Sequence, residues 1–295
     1  MSTPLVILGS TNRDMTVVVG KLPLPGETIL GGDVAYGLGG KGANQAAAAA
    51  RSGTKPVFVS AVGDDDAGHG LLTELEAVGV DASHLLVTPD APTGVALIIV
   101  DANGENSIVV AAGANLALDP TETAATISDL VATGSVVLSQ IEIAVAVVEA
   151  GARATAERGG RFVLNLSPSQ PVAADVLALA DPLIVNETEA ADLSGLPIGS
   201  VDDAEAAATA LLERTTSVVV TLGGDGVVFA DASGIYFLPS HKVTVVDTTG
   251  AGDAFAGALA AQLSQGATLA DAVQAGTAAG ALAVQHLGAQ PRAGF

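Results

Sequence analysis

The sequence contains no cysteine and no tryptophan, and only 3% of its residues are aromatic. Without cysteine there is no disulfide framework and no thiolate metal site. Histidine offers no substitute, since His69, His84, His241 and His286 are scattered, with no two at metal-ligand spacing. Basic residues are scarce as well: 11 Lys and Arg stand against 32 Asp and Glu, a net charge of −21. That balance argues against a nucleic-acid groove or an anionic membrane as partner. No apolar run approaches the ~20 residues that span a bilayer. The opening MSTPLVILGSTN lacks the basic n-region and long apolar core of a signal peptide. A soluble cytoplasmic protein is the expectation.

What the sequence has in abundance is small and aliphatic. Hydrophobic residues make up 49% of it, dominated by Ala, Val and Leu, and there are 35 glycines. Such composition suits helices lying close on a buried parallel sheet. Strand-like runs at 5–9, 57–62, 135–139, 162–166, 182–185, 217–222 and 226–230 alternate with helical stretches at 43–52, 68–77, 120–132, 143–157, 201–214, 252–264 and 269–285. This order predicts a doubly wound, mainly parallel α/β sheet with helices on both faces, in one domain over 1–295. Segments 15–37 and 93–113 interrupt the alternation, the second reading as a hairpin that turns at 101–106. Together they form either a small antiparallel sheet standing off the main body or two ordinary edge hairpins.

Two glycine-rich segments invite a chemical reading. GLGGKGANQ, residues 37–45, has the glycine spacing of a dinucleotide fingerprint, but the acidic residue expected about 20 positions on is missing from KPVFVS. As a P-loop it fails too, because Ala35 stands at the first glycine position and Gly42, not Ser or Thr, follows Lys41. VDTTGAGDAF, residues 246–255, is the better phosphate site. A strand at 242–246 is expected to run into the turn, and the N–H groups of Gly250, Ala251 and Gly252 to converge at a helix N-terminus, where the dipole favours an anion. Asp253 places a carboxylate there. It reads either as an ordinary first-turn acid or, beside a transferring phosphoryl group, as a base.

With GGKGAN (39–44), Gly53 and Gly63 at one end and DTTGAGD (247–253), Gly257 and Ala258 at the other, the chain resembles the ribokinase group of the PfkB carbohydrate kinases. The resemblance covers nearly the whole length. It implies a ribokinase-like fold whose interrupting segments form a β lid, and ATP-dependent phosphorylation of the 5-hydroxyl of D-ribose. It implies Asp253 as general base and the Gly250, Ala251 and Gly252 amides as anion hole. Sugar hydroxyls would be held by Asn12, Asp14, Gly39, Gly40, Lys41, Asn44 and Glu142. Nucleotide contacts would come from Asn186, Thr221, Gly223, Gly226, Gly252 and Thr277, with Asn165 facing the same mouth. Mg2+ would enter with ATP near Glu189, through water. Carbonyls of Asp247, Thr249, Ala283, His286 and Gly288 would form a monovalent-cation ring, but Arg292 stands where relatives place a Ser, and its guanidinium would repel K+ or replace it. A homodimer through the lid is also implied.

Two competitors remain at this stage. One is a related kinase for deoxyribose, a ketohexose or a nucleoside; the other is a non-catalytic sugar or nucleotide sensor. A sugar phosphate acceptor is disfavoured because only Arg13 and Lys41 lie near the expected sugar site.

Overall fold

The computed structural model describes residues 4–286, 288 and 289. Strand β1 (Leu5–Leu8) sets the plan: Leu5 and Ile7 enter one core cluster and Val6 and Leu8 the other. Successive strand side chains point to opposite faces, so a strand apolar at every position must be covered on both sides. β1 pairs in parallel with β4 (Val57–Gly63) and with β8 (Val136–Gln140). Beyond β4 lies β5 (Asp81–Thr88), and beyond β8 follow β9 (Arg161–Asn165), β10 (Ala180–Asn186) and β11 (Val218–Thr221), all parallel. An antiparallel hairpin, β12 (Gly226–Asp231) and β13 (Gly234–Pro239), completes the nine-stranded sheet.

Helices α1 (Lys41–Arg51), α2 (Asp66–Ala77), α8 (Ala251–Ser264) and α9 (Leu269–Ala283) cover one face. The other is covered by α3 (Pro120–Leu130), α4 (Val145–Glu157), α5 (Ala174–Leu177), α6 (Glu187–Ser194) and α7 (Val201–Leu212). Small residues let α1 and α8 touch: a Cβ on Gly257 would lie 2.4 Å from the Gln45 carbonyl oxygen and 2.7 Å from Ala48 Cβ. This close approach brings Gln45 against Asp253. Among the described residues no helix is long and apolar enough to cross a membrane.

The interrupting segments form a separate four-stranded sheet ordered β3 (Val34–Gly39), β2 (Asn12–Val18), β6 (Gly94–Val100), β7 (Asn106–Ala111). It is mixed rather than antiparallel, because its central pair, β2 and β6, is parallel. These strands continue from β1 and β5, which share one direction in the large sheet. The strand expected at 242–246 does not form. The chain leaves the sheet after β13, Val245 and Val246 lie exposed, and the amides of Val246 and Asp247 donate to the Val284 carbonyl.

Candidate active site

Chain order reverses around β1, whose neighbours β4 and β8 are reached in opposite directions. A crevice at the carboxyl ends of the strands is the expected ligand site in such sheets. Ser10 and Asn12 follow β1, Glu142 follows β8, and Asn165, Asn186 and Thr221 end β9, β10 and β11. The expected sugar-side and phosphate-side residues therefore share one rim.

On the expected sugar side, Asn12 and Asp14 lie two apart on β2 and share a face. Gly39 on the paired strand makes room, since a Cβ there would lie 1.8 Å from Asp14 Oδ1. Gly40, with φ of 85°, turns the chain into α1. Glu142 Oε2 accepts from Ser10 Oγ at 2.6 Å and from the Lys41 amide at 2.9 Å, tying β1, α1 and the β8 loop together. Asn12 Oδ1 accepts from Asn115 Nδ2 at 2.7 Å. Arg13 departs from expectation. Alternation turns it to the opposite face of β2, where Nη1 pairs with Glu74 Oε1 at 2.8 Å and Nη2 reaches the Ala67 carbonyl.

Asp253, in the first turn of α8, is buried. Its Oδ1 accepts from Gln45 Nε2 at 2.9 Å and its Oδ2 from Asn44 Nδ2 at 3.3 Å. Burial pushes its pKa up, against the pull of Lys41 and the Gln45 hydrogen bond. Burial also pushes Asp14 up, to about 7; Glu142 adds to this, Arg13 opposes it and Asp253 adds a further push. For Lys41, burial acts downward, but Asp253, Glu142 and Glu189 together hold its pKa above the ordinary value. A half-buried ammonium thus feels the Asp253, Glu142 and Glu189 carboxylates together.

Gly250 caps α8 with φ of 75°, and Gly252 has open space where a Cβ would be. The Ala251 amide donates to the Thr248 carbonyl at 3.2 Å, so in this conformation it is engaged within the turn. Asp247 organises that turn. Its Oδ1 accepts from the amide and hydroxyl of Thr249, and its Oδ2 from the Gly288 amide. Burial acts upward on its pKa, but these three donors outweigh it and hold the carboxyl below its ordinary value. The Ala283 carbonyl accepts from the His286 amide, and Arg292 lies outside the described residues.

Asn186 and Glu189 form a reciprocal capping box on α6, each side chain bonding the other's amide at 2.9 Å. That arrangement uses Glu189 Oε2 and leaves Oε1 outside the box. Gly226, with φ of 134°, is required by the β12–β13 hairpin itself, since a Cβ would lie 2.3 Å from the Leu238 carbonyl oxygen. The Thr277 hydroxyl donates to the Val273 carbonyl within α9. Next to it, an open groove of about 530 Å³ is lined by His241, Lys242, Val243, Ala278, Ala281 and Leu282. Among the described residues no group of three or more His, Asp or Glu could hold a metal unaided.

A family model described as pfkB family carbohydrate kinase matches residues 2–293. The chain belongs to this family. Within it, the chain is 35% identical to a ribokinase of Staphylococcus aureus, covering 98% of this chain and 96% of the relative. A deoxyribokinase of Salmonella typhi is 33% identical, covering 87% and 84%. A solved structure of Arabidopsis thaliana ribokinase complexed with ribose and ATP superposes with a TM-score of 0.89 at 31% identity, covering 98% of this chain and 95% of that one. The pfkB carbohydrate kinases thus provide both the sequence and the architecture seen here.

Motif reading passed over Ser10, Gln45, Asn115 and Gln140. Gln45 stood in view within GANQ, and its burial on α1 was the missing information. Asn115 sits in a short 3-10 turn at Gly113–Leu116 that no periodicity announces.

Proposed function

We propose that the protein phosphorylates the 5-hydroxyl of D-ribose with ATP. The observation that carries this reading is the buried Asp253 at the N-terminus of α8, sharing one rim with Asp14, Lys41 and Glu142. The names of the relatives supply the sugar. Asn12, Asp14, Asn44, Lys41 and Glu142, with the Gly39–Gly40 backbone, would bind its hydroxyls, because paired amides and carboxylates distinguish vicinal hydroxyls where an apolar wall could not. ATP would run from the turn of Gly250 and Gly252 past Asn186, Thr221, Gly223 and Gly226, its base in the groove beside Thr277 and Ala278.

Asp253 takes the proton from the 5-hydroxyl as that oxygen bonds to the γ-phosphorus. The bond to the β–γ bridging oxygen breaks, and ADP leaves. The amides at the start of α8 and the Lys41 ammonium face the developing negative charge. Mg2+ would arrive on the phosphates of ATP and neutralise them, with Glu189 holding it through water. The small sheet would act as a lid that excludes water, a competing acceptor. Its register aligns Tyr36, Met15, Leu97 and Val109 across four strands, and Tyr36, Leu97 and Val109 are exposed. A second copy of the chain would cover that row; light scattering should give a dimer, and a clean monomer would refute it.

The deciding experiment is ADP release from ATP and Mg2+ with ribose, 2-deoxyribose, fructose, adenosine or fructose phosphate, with and without K+. Ribose-dependent turnover is expected. Turnover with deoxyribose alone would move the protein to the second reading, which the 33% identity to a deoxyribokinase keeps in play. No turnover with any acceptor would leave a sensor.

A further inference from the structure

Behind Asp253 runs a line of buried amides. Gln45, wholly buried on α1, donates through Nε2 to Asp253 Oδ1 and to Asn165 Oδ1, both at 2.9 Å. Its Oε1 accepts from Gln140 Nε2 at 2.7 Å. Gln140, at the end of β8, is also fully buried, and its Oε1 has no hydrogen-bond partner among the described residues.

The orientations follow from the carboxylate outward. An ionised Asp253 can only accept, so it must face the NH2 of Gln45. Both N–H groups of that amide are then committed, which leaves Oε1 towards Gln140. Gln140 must present its own NH2, and its oxygen is left without a donor, a costly state for a buried acceptor. Gly9 makes space for this, since a Cβ there would lie 2.0 Å from Gln140 Oε1. Packing alone gives no reason for two buried amides with an orphaned oxygen, because an apolar side chain at 140 would avoid the cost.

We infer that Gln45, braced by Gln140, is a positioning residue for the reaction: it pins Oδ1 of Asp253 so that Oδ2, on the side of Asn44, meets the hydroxyl to be phosphorylated. The inference rests on the assignment of Asp253 as the base. The other charged groups acting on Asp253 are Lys41 from α1, Glu142 from the β8 loop and Asp14 from β2. They remain in place when Gln45 is changed.

The test is the pH dependence of kcat/KM for ribose in the wild type, Gln45→Met and Gln140→Met. A hydrogen bond to the carboxylate favours its charged form, so losing it raises the pH at which the base becomes active. For Gln45→Met the acid limb should move up by about one pH unit or more, with kcat reduced about tenfold at neutral pH and KM for ribose nearly unchanged. Gln140→Met should shift the limb in the same direction by less, and it decides the matter if Gln45→Met does not fold. An unmoved limb in a folded Gln45→Met overturns the inference. If the wild type does not turn over ribose, the ribose reading fails separately. Titration of the Asp253 carboxyl by 13C NMR in wild type and Gln45→Met then decides: an upward move supports the positioning role and an unmoved titration overturns it.

Discussion

Gly39 and Gly42 in the first glycine-rich segment and Gly252 in the second answer to different neighbours. In the first, an added Cβ on Gly39 would meet the Asp14 carboxyl at 1.8 Å, and one on Gly42 would meet backbone atoms of Gly9 and Ser10 at 2.6 Å. In the second, Gly252 faces nothing within 4 Å. A glycine pressed against its own chain serves the fold or the placement of a side chain. A glycine facing open space at a helix N-terminus leaves room for something from outside.

Substitutions can break that contrast or sharpen it. The largest effect should come from Asp253→Asn, which keeps the shape beside Gly252 and removes the proposed base: kcat should fall by ~10²–10⁴ with melting temperature preserved, and full activity would sink the mechanism. Gly42→Ala forces backbone apart and should destabilise the protein by about 1–3 kcal/mol, read by chemical denaturation. Gly39→Ala meets only the end of a side chain, so the fold should survive while the displaced Asp14 raises KM for the sugar about tenfold or more. Gly252→Ala should leave stability unchanged or raised by up to about 1 kcal/mol, with KM for ATP increased; a loss of stability instead would erase the distinction. A further prediction concerns pH. Asp14 keeps its proton in the folded protein up to about 7, against an ordinary value of 3.8. The folded state therefore binds the extra proton in that window, and stability falls as pH rises through it. Melting temperatures across the window should show this decline in the wild type and less of it in Asp14→Asn.

How much of this could be read in the sequence depended on periodicity. β1, β4 and β8 through β12 declared themselves as apolar runs, and the hairpin of β6 and β7 turned where its polar residues stand. β5 escaped notice because its burial, one residue in three along Ala82, Leu85 and Thr88, has no alternation to detect. β13 is a largely exposed edge strand. Conversely, KVTVV at 242–246 has strand composition but no strand edge beside it. Gln45, which bonds the Asp253 carboxylate, and Gln140, which bonds Gln45, look like polar interruptions until helix α8 is laid against α1. Motifs name groups at the rim of a site; what lies beneath them is set by tertiary packing.

Between the end of β1 at Leu8 and the start of β2 at Asn12 stand only Gly9, Ser10 and Thr11. Thr11 is gripped by Asn115, which accepts from its amide and donates to its carbonyl. The strand bearing Asn12 and Asp14 is therefore hung from the large sheet by a short, clamped neck. If the small sheet tilts, both side chains swing with it as the tip of one lever. Capturing a ligand and covering it would then be a single displacement, and a change at Asn115 would be felt at both ends of the stroke.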